Sequence, residues 1–224
     1  MTITSMLSVI IITFNEEQNI RRCIHSAQGL GDEILVVDSG STDGTVAIAK
    51  EMGAVVIHQD FLGYIEQKKF ATASAKNDWI LCLDADEALS PELKDSLSAI
   101  INDPKARGYT MNRLTNYCGT WVRYGGWYPD TKLRFYHRGY GTWTGVNPHD
   151  RFLLNDKLSS IHINGDILHY SYNSISDHLK QIDRFSSIGA TALFQKGQRS
   201  GILKMIYKPI ARFIRNYILR RGFL

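Results

Sequence analysis

Four short apolar runs, each followed by a helix-like segment, constrain this chain more than anything else in it. "LSVIIIT" (7–13), "EILVVD" (33–38), "AVVIHQ" (54–59) and "WILCLDA" (79–85) are rich in β-branched residues and almost uninterrupted. That is the pattern of parallel strands covered on both faces. Between and after them come segments with helical texture. "EEQNIRRCIHSAQ" sets Ile20, Cys23, Ile24 and Ala27 at helical spacing, and "STDGTVAIAKEMG" reads as a capped short helix stopped by Gly53. "YIEQKKFATASAK" is a third helix, and "SPELKDSLSAIIN" a fourth, with Ser90 as N-cap and Pro91 in its first turn. Such alternation predicts an open α/β sheet that binds ligands at the carboxyl ends of its strands. Three polar clusters stand at those ends: "TFNEE", "DSGSTD" and "DADE".

From about residue 106 the texture changes. "RGYTMNRLTNYCGTWVRYGGWYPDTKLRFYHRGYGTWTG" is rich in glycine, aromatic residues and arginine, and is expected to form a cleft wall of short strand-like pieces. "DILHYSY" (166–172) reads as a last strand and 174–197 as a helix.

No window reaches the roughly 18–20 apolar residues of a transmembrane helix. The start, "MTITSMLSVIIITFNEE", lacks a basic n-region and reads as a first strand rather than a signal peptide. Cys23, Cys82 and Cys118 show no metal or disulfide spacing, which implies reduced thiols in a cytosolic protein.

Charge is unevenly spread. Nine basic residues and no acidic one follow Asp183, while the first 183 residues hold 17 basic against 22 acidic. On one helix Lys204, Lys208, Arg212 and Arg215 fall within about 80°, with Ile202, Ile206, Ile210 and Phe213 on the other side. This predicts an interfacial helix on an anionic membrane surface; a helix pair packed on the catalytic domain is the alternative. Pro209 is expected to kink or divide that helix at Lys208. Nucleic acid is the other anionic partner to weigh. The acidic body and the remote aromatic segment count against it, so no nucleic acid is expected.

In "WILCLDADEALSPEL", Asp84 and Asp86 flank Ala85. On an extended backbone both carboxylates project to one side. A hard divalent cation relieves their repulsion, and Mg²⁺ or Mn²⁺ takes its remaining ligands from phosphate oxygens and water. The plainer alternative is a solvated cluster ahead of a helix, with Glu87 and Glu92 favoured by the helix dipole. An Asp-x-Asp phosphatase would carry its nucleophile on the first strand, which here ends "TFNEE". An EF-hand would need an internal glycine and a closing glutamate that "DADEALSPELKD" lacks.

Together "VIIITFNEEQNI", "ILVVDSGSTDGT", "GYIEQKKFATASAKNDWILCLDADE" and "TKLRFYHRGYGTWTGVNPHDRF" resemble family 2 glycosyltransferases of the GT-A fold. The likeness is strongest to the bacterial branch that builds lipopolysaccharide core, heptose β-1,4-glucosyltransferases among it. It implies that Phe14, Glu16 and Asp38 hold the nucleotide, with Phe14 stacking on the base, and that Lys68 and Asp84 face the diphosphate. Phe14 as a core aromatic, Glu16 as a helix-dipole charge, Asp43 as a helix cap and Lys68 as a solvated lysine are the plain alternatives. It also implies a metal held by Asp84 and Asp86, with His149 as a further ligand or an ordinary loop histidine. An inverting reaction needs one base for the acceptor hydroxyl; Asp150 in "VNPHD" is the candidate, where many relatives carry a His–Glu pair. Trp143 and the "YGGWYPD" loop form either a sugar platform or a second small core, and Arg134 is a phosphate contact.

The expectation is therefore an α/β protein with a mostly parallel central GT-A sheet flanked by helices and a C-terminal helical extension. Residues 1–173 form the catalytic domain, 1–105 on the nucleotide-sugar side and 106–173 on the acceptor side, and 174–224 form the basic extension. The activity implied is inverting, metal-dependent transfer of a hexose, glucose first, from a UDP-linked donor. The acceptor is a membrane-held glycan such as lipopolysaccharide inner core, at the inner face of the cytoplasmic membrane. Transfer to another lipid-linked or surface glycan, and an inert nucleotide-sugar-binding module, are the alternatives. A sugar-nucleotide pyrophosphorylase would need a glycine-rich, arginine-bearing loop that "TFNEE" is not.

Overall fold

The first apolar run is a strand because its alternate side chains enter two different packed layers. β1 (Leu7–Thr13) is buried along its whole length. It pairs in parallel with β2 (Glu33–Asp38) on one side and β4 (Trp79–Asp84) on the other. Leu7, Val9 and Ile11 enter one layer, shared with Ile20 and Ile24 of α1 (Ile20–Ala27) and Leu93 of α4 (Pro91–Ile100). Ile10 and Ile12 enter the other, with Ile80, Tyr136, Trp143 and Phe152. Burial of such aliphatic side chains contributes about 1.5–3 kcal/mol each.

The computed structural model describes residues 7–147, 149–155, 159–195 and 197–224. Residues 1–6, part of the start read as a first strand rather than a signal peptide, and Lys196 of the basic tail lie outside the described residues.

α2 (Thr45–Glu51) leads to β3 (Val55–His58), which pairs in parallel with β2. α3 (Tyr64–Ser74) leads to β4, and β5 (Glu87–Leu89) follows within three residues. β6 (Gly108–Tyr117), β8 (Asp130–His137) and β11 (Ile161–Tyr172) join the same sheet, in the order β3-β2-β1-β4-β8-β6-β11-β5. The first four are parallel, whereas the β4–β8 and β11–β5 pairs run antiparallel. The segment expected as short pieces thus supplies long strands to the main sheet, β11 beginning at Ile161 rather than 166.

β9 (Gly141–Val146) and β10 (His149–Leu154) form a separate antiparallel pair. Gly145 has φ +129, and a Cβ there would lie 2.3 Å from the His149 carbonyl oxygen. Only glycine suits that crossing, which lies opposite Asp150.

The chain divides into two compact units, residues 7–113 with 131–170, and 114–130 with 171–224. In the second, β7 (Thr120–Val122) pairs with the end of β6, and Tyr117, Trp127, Tyr172 and His178 cluster. α5 (Ile175–Gln195) and α6 (Ile202–Phe213) follow. Of the expected kink or division at Lys208, the division does not occur: Pro209 lies inside a continuous α6, and a π-helical turn (Ile214–Leu219) extends the helix. Proline removes one backbone donor; the other bonds of the helix carry it past that point.

Candidate active site

Two of the polar clusters are stapled together at the ends of β1 and β2. Asn15 adopts φ +54, a left-handed conformation that asparagine tolerates. Its side-chain oxygen accepts from Thr42 N at 2.8 Å, and its own N–H donates to Ser41 Oγ at 2.8 Å. Glu16 N donates to Thr45 Oγ1 at 2.8 Å, and Gly44 N to Glu17 at 2.9 Å. Asp38 is buried and shapes this loop by accepting from Gly40 N and Ser41 N, each at 2.9 Å. The N-cap position of α2 is held by Gly44 rather than Asp43, which lies one residue earlier and accepts from Thr45 N at 3.0 Å. Phe14, 55% exposed, stands clear of the core.

The third cluster sits beside a chain of buried ion pairs. Lys68, only 1% exposed on α3, lies 3.0 Å from Asp84 Oδ1 and donates to Asp150 Oδ2 at 2.8 Å. Its contact with Asp84 is an ion pair outside hydrogen-bond geometry. The other oxygen of Asp84 accepts from Arg134 at 2.9 Å. Arg134 also reaches Glu87 at 3.2 Å, and Arg113 reaches the same Glu87 oxygen at 3.3 Å. Glu87 in turn accepts from Asp84 N at 3.0 Å, so it is an interior brace rather than a solvated charge at a helix start. Arg134, expected as a phosphate contact, is a buried partner of these carboxylates.

Ionisation follows from this packing. Burial pushes the Asp84 carboxyl up, but Arg134 and Lys68 outweigh it and hold Asp84 well below the usual carboxylate range. Burial and the nearby Arg134 favour a neutral Lys68, yet Asp84 and Asp150 overcome them and raise its pKa. Glu16 behaves differently: burial, then the charge of Asp86, lifts it to about 7.

Asp86 turns away from this chain. Its Oδ2 lies 3.1 Å from His169 Nε2, and its carbonyl accepts from Tyr170 N at 2.8 Å. Burial lowers the imidazole pKa, but the Asp86 charge and hydrogen bond prevail and raise it. Among the described residues, the buried His169 Nδ1 has no hydrogen-bond partner. A divalent cation would take this carboxylate and imidazole only once Nε2 gives up the proton it shares with Asp86, with its other ligands drawn from substrate and water.

The expected trio of Asp84, Asp86 and His149 is not brought together. Asp84 is held on both oxygens by Lys68 and Arg134, while His149 is exposed at the head of β10. Among the described residues no group of three or more His, Cys, Asp or Glu is placed to hold an ion. His169 was missed because it meets Asp86 only through the pairing of β11 with β5, where it stands opposite Glu87.

Trp143 belongs to the second core layer. Its Nε1 donates to Tyr136 at 2.9 Å, and its ring lies 5.0 Å from Lys68 Nζ. It is a floor beneath the ion pairs, not an open platform for a sugar.

The model of Glycosyl transferase family 2 matches residues 8–161. An uncharacterized glycosyltransferase of Rickettsia typhi is 35% identical, over 97% of this chain and 78% of its own length. The lipopolysaccharide core biosynthesis glycosyltransferase LpsC of Rhizobium meliloti is 27% identical, over 94% and 80%. Among solved structures, glucosyl-3-phosphoglycerate synthase from Mycobacterium tuberculosis, in complex with Mn²⁺, UDP and glucosyl-3-phosphoglycerate, superposes with a TM-score of 0.55. It covers 87% of this chain and 81% of that one at 20% identity, a likeness of fold. With four parallel strands, helices around them and polar clusters at their carboxyl ends, the chain belongs to glycosyl transferase family 2 and is a glycosyltransferase of GT-A fold.

Proposed function

We propose that this enzyme transfers a hexose, glucose first among candidates, from a UDP-linked donor to a membrane-held glycan with inversion at the anomeric carbon. The observation that carries this reading is the chain Asp84–Lys68–Asp150, which ties the candidate base to the carboxylate nearest the expected diphosphate. Phe14 stacks on the base, while Glu16 and the loop shaped by Asp38 receive the remainder of the nucleoside. Lys68 holds Asp150 Oδ2, leaving Oδ1 to take the proton of the acceptor hydroxyl. Arg134 and Lys68 keep Asp84 ionised and fixed beside the diphosphate. Asp86 and His169 would hold Mg²⁺ or Mn²⁺, which when bound supplies Lewis-acid stabilisation of the leaving diphosphate.

Residues 1–173 serve as the catalytic domain in this reading, with 106–173 on the acceptor side. The similarity to LpsC, whose name assigns it to lipopolysaccharide core biosynthesis, supports an inner-core acceptor and a place at the inner face of the cytoplasmic membrane.

The test is a panel of nucleotide sugars with Mn²⁺ or chelator, scored by release of the nucleoside diphosphate. Asp150→Asn is expected to lower turnover about 10²–10⁴-fold, the range of a general base, with donor binding changed only a few-fold. Wild-type turnover in Asp150→Asn removes the base assignment. His169→Ala is expected to weaken Mn²⁺ binding in the presence of UDP, read by electron paramagnetic resonance. Unchanged Mn²⁺ affinity removes His169 from the metal site.

A further inference from the structure

The face of α6 that a surface helix would turn toward a core is open. Ile202, Leu203, Ile206, Ile210 and Phe213 are each more than half exposed, and no residue of the helix is buried. By 100° per residue the apolar side chains cover an arc of roughly 200°, and Lys204, Lys208 and Arg212 fill an arc of about 80° within the remainder. Two separated faces of this kind mark an interaction surface.

Charge selects the occupant. No acidic residue follows Asp183, and Arg215, Arg220 and Arg221 continue the basic run beyond α6. A second copy of this helix would bring the same positive charges and be repelled. Nucleic acid would meet the basic arc but leave the wider apolar arc in water. An anionic bilayer satisfies both faces, accepting aliphatic side chains about 5–10 Å into the boundary between headgroups and chains while lipid phosphates pair with the basic arc. Among the described residues no helix is long and apolar enough to cross a membrane.

We propose that α6 and the basic turn after it dock the enzyme on an anionic bilayer surface. This extends the membrane location of the proposed function, but its physical warrant lies in α6 itself.

The experiment is flotation of the full chain with phosphatidylcholine vesicles, with and without 30 mol% phosphatidylglycerol, at low and high salt. Binding is expected only to the anionic vesicles and to weaken with salt. The triple variant Lys204→Gln, Lys208→Gln, Arg212→Gln is expected to lose about a hundredfold in affinity, and Ile206→Asn with Ile210→Asn a comparable amount. Since these side chains are exposed, circular dichroism and donor turnover should be unchanged. Equal binding to neutral vesicles, indifference to either variant, or tighter binding to random duplex DNA overturns the proposal. So does a concentration-dependent dimer that Ile206→Asn abolishes. Vesicle binding by a protein that turns over no donor would sink the proposed reaction and leave the docking intact; turnover without vesicle binding would do the reverse.

Discussion

At the end of β4, Lys68 is almost sealed from water and touches two carboxylates, at 3.0 and 2.8 Å. Along α6, Lys204, Lys208 and Arg212 are exposed in a stretch without a single acidic residue. The same ammonium group therefore has opposite energetic meanings in the two places. Inside, it is tolerated because Asp84 and Asp150 offset its desolvation, and breaking such a set costs about 3–5 kcal/mol. Outside, water solvates it at no cost to the fold, so the charge remains available to a partner.

That contrast can be broken by experiment, beginning with Lys68→Met. The variant strands Asp84 and Asp150 and should lose about 3–5 kcal/mol, a fall in Tm of roughly 10 °C for a chain of this size. A Tm within 1 °C of wild type would place Lys68 outside the interior that supports the site. Thiol chemistry probes the same division less forcefully. Burial pushes Cys82 up to about 12 and Cys23 well above the ordinary thiol range, whereas Cys118 is exposed. Since the thiolate is the reactive form, Ellman's reagent should titrate one thiol in the native protein and three after denaturation. Rapid reaction of two or more thiols before unfolding would show that the interior around Cys82 opens easily. The smallest effect belongs to Lys208→Gln, expected to change stability by less than about 0.5 kcal/mol in calorimetry. A larger loss would reveal a structural role for the basic arc.

What the sequence made legible was whatever depends on neighbours along the chain. The four β-branched runs, the Ser90 cap and the polar clusters at strand ends all sit in place, with Ser90 Oγ accepting from Leu93 N at 3.1 Å. Lys68 was open to a plain reading as a solvated lysine because the strands that enclose it arrive from far along the chain, Trp143 on β9 and Asp150 on β10, the latter 82 positions away. His169 was obscured because β11 must pair with β5 before it meets Asp86, and Glu87 because Arg134 and Arg113 reach it from β8 and β6, far along the chain. Trp143 was ambiguous because an aromatic beside glycines suits a platform or a core; Tyr136 and Thr72, which accept from its indole N–H, place it in the core. Pro209 misled in the other direction, since one lost backbone bond is too little to divide α6.

The long span between Lys68 and Asp150 has a kinetic consequence. A chain emerging from the ribosome can pair β1, β2 and β4 early, yet the hairpin that brings Asp150 has not been made. Until it docks, collapse around α3 would enclose an ammonium with only part of its counter-charge, so that compact state is held back. The buried lysine thus makes early closure unrewarding and ties completion of the ion-pair set to the making of the β9–β10 hairpin.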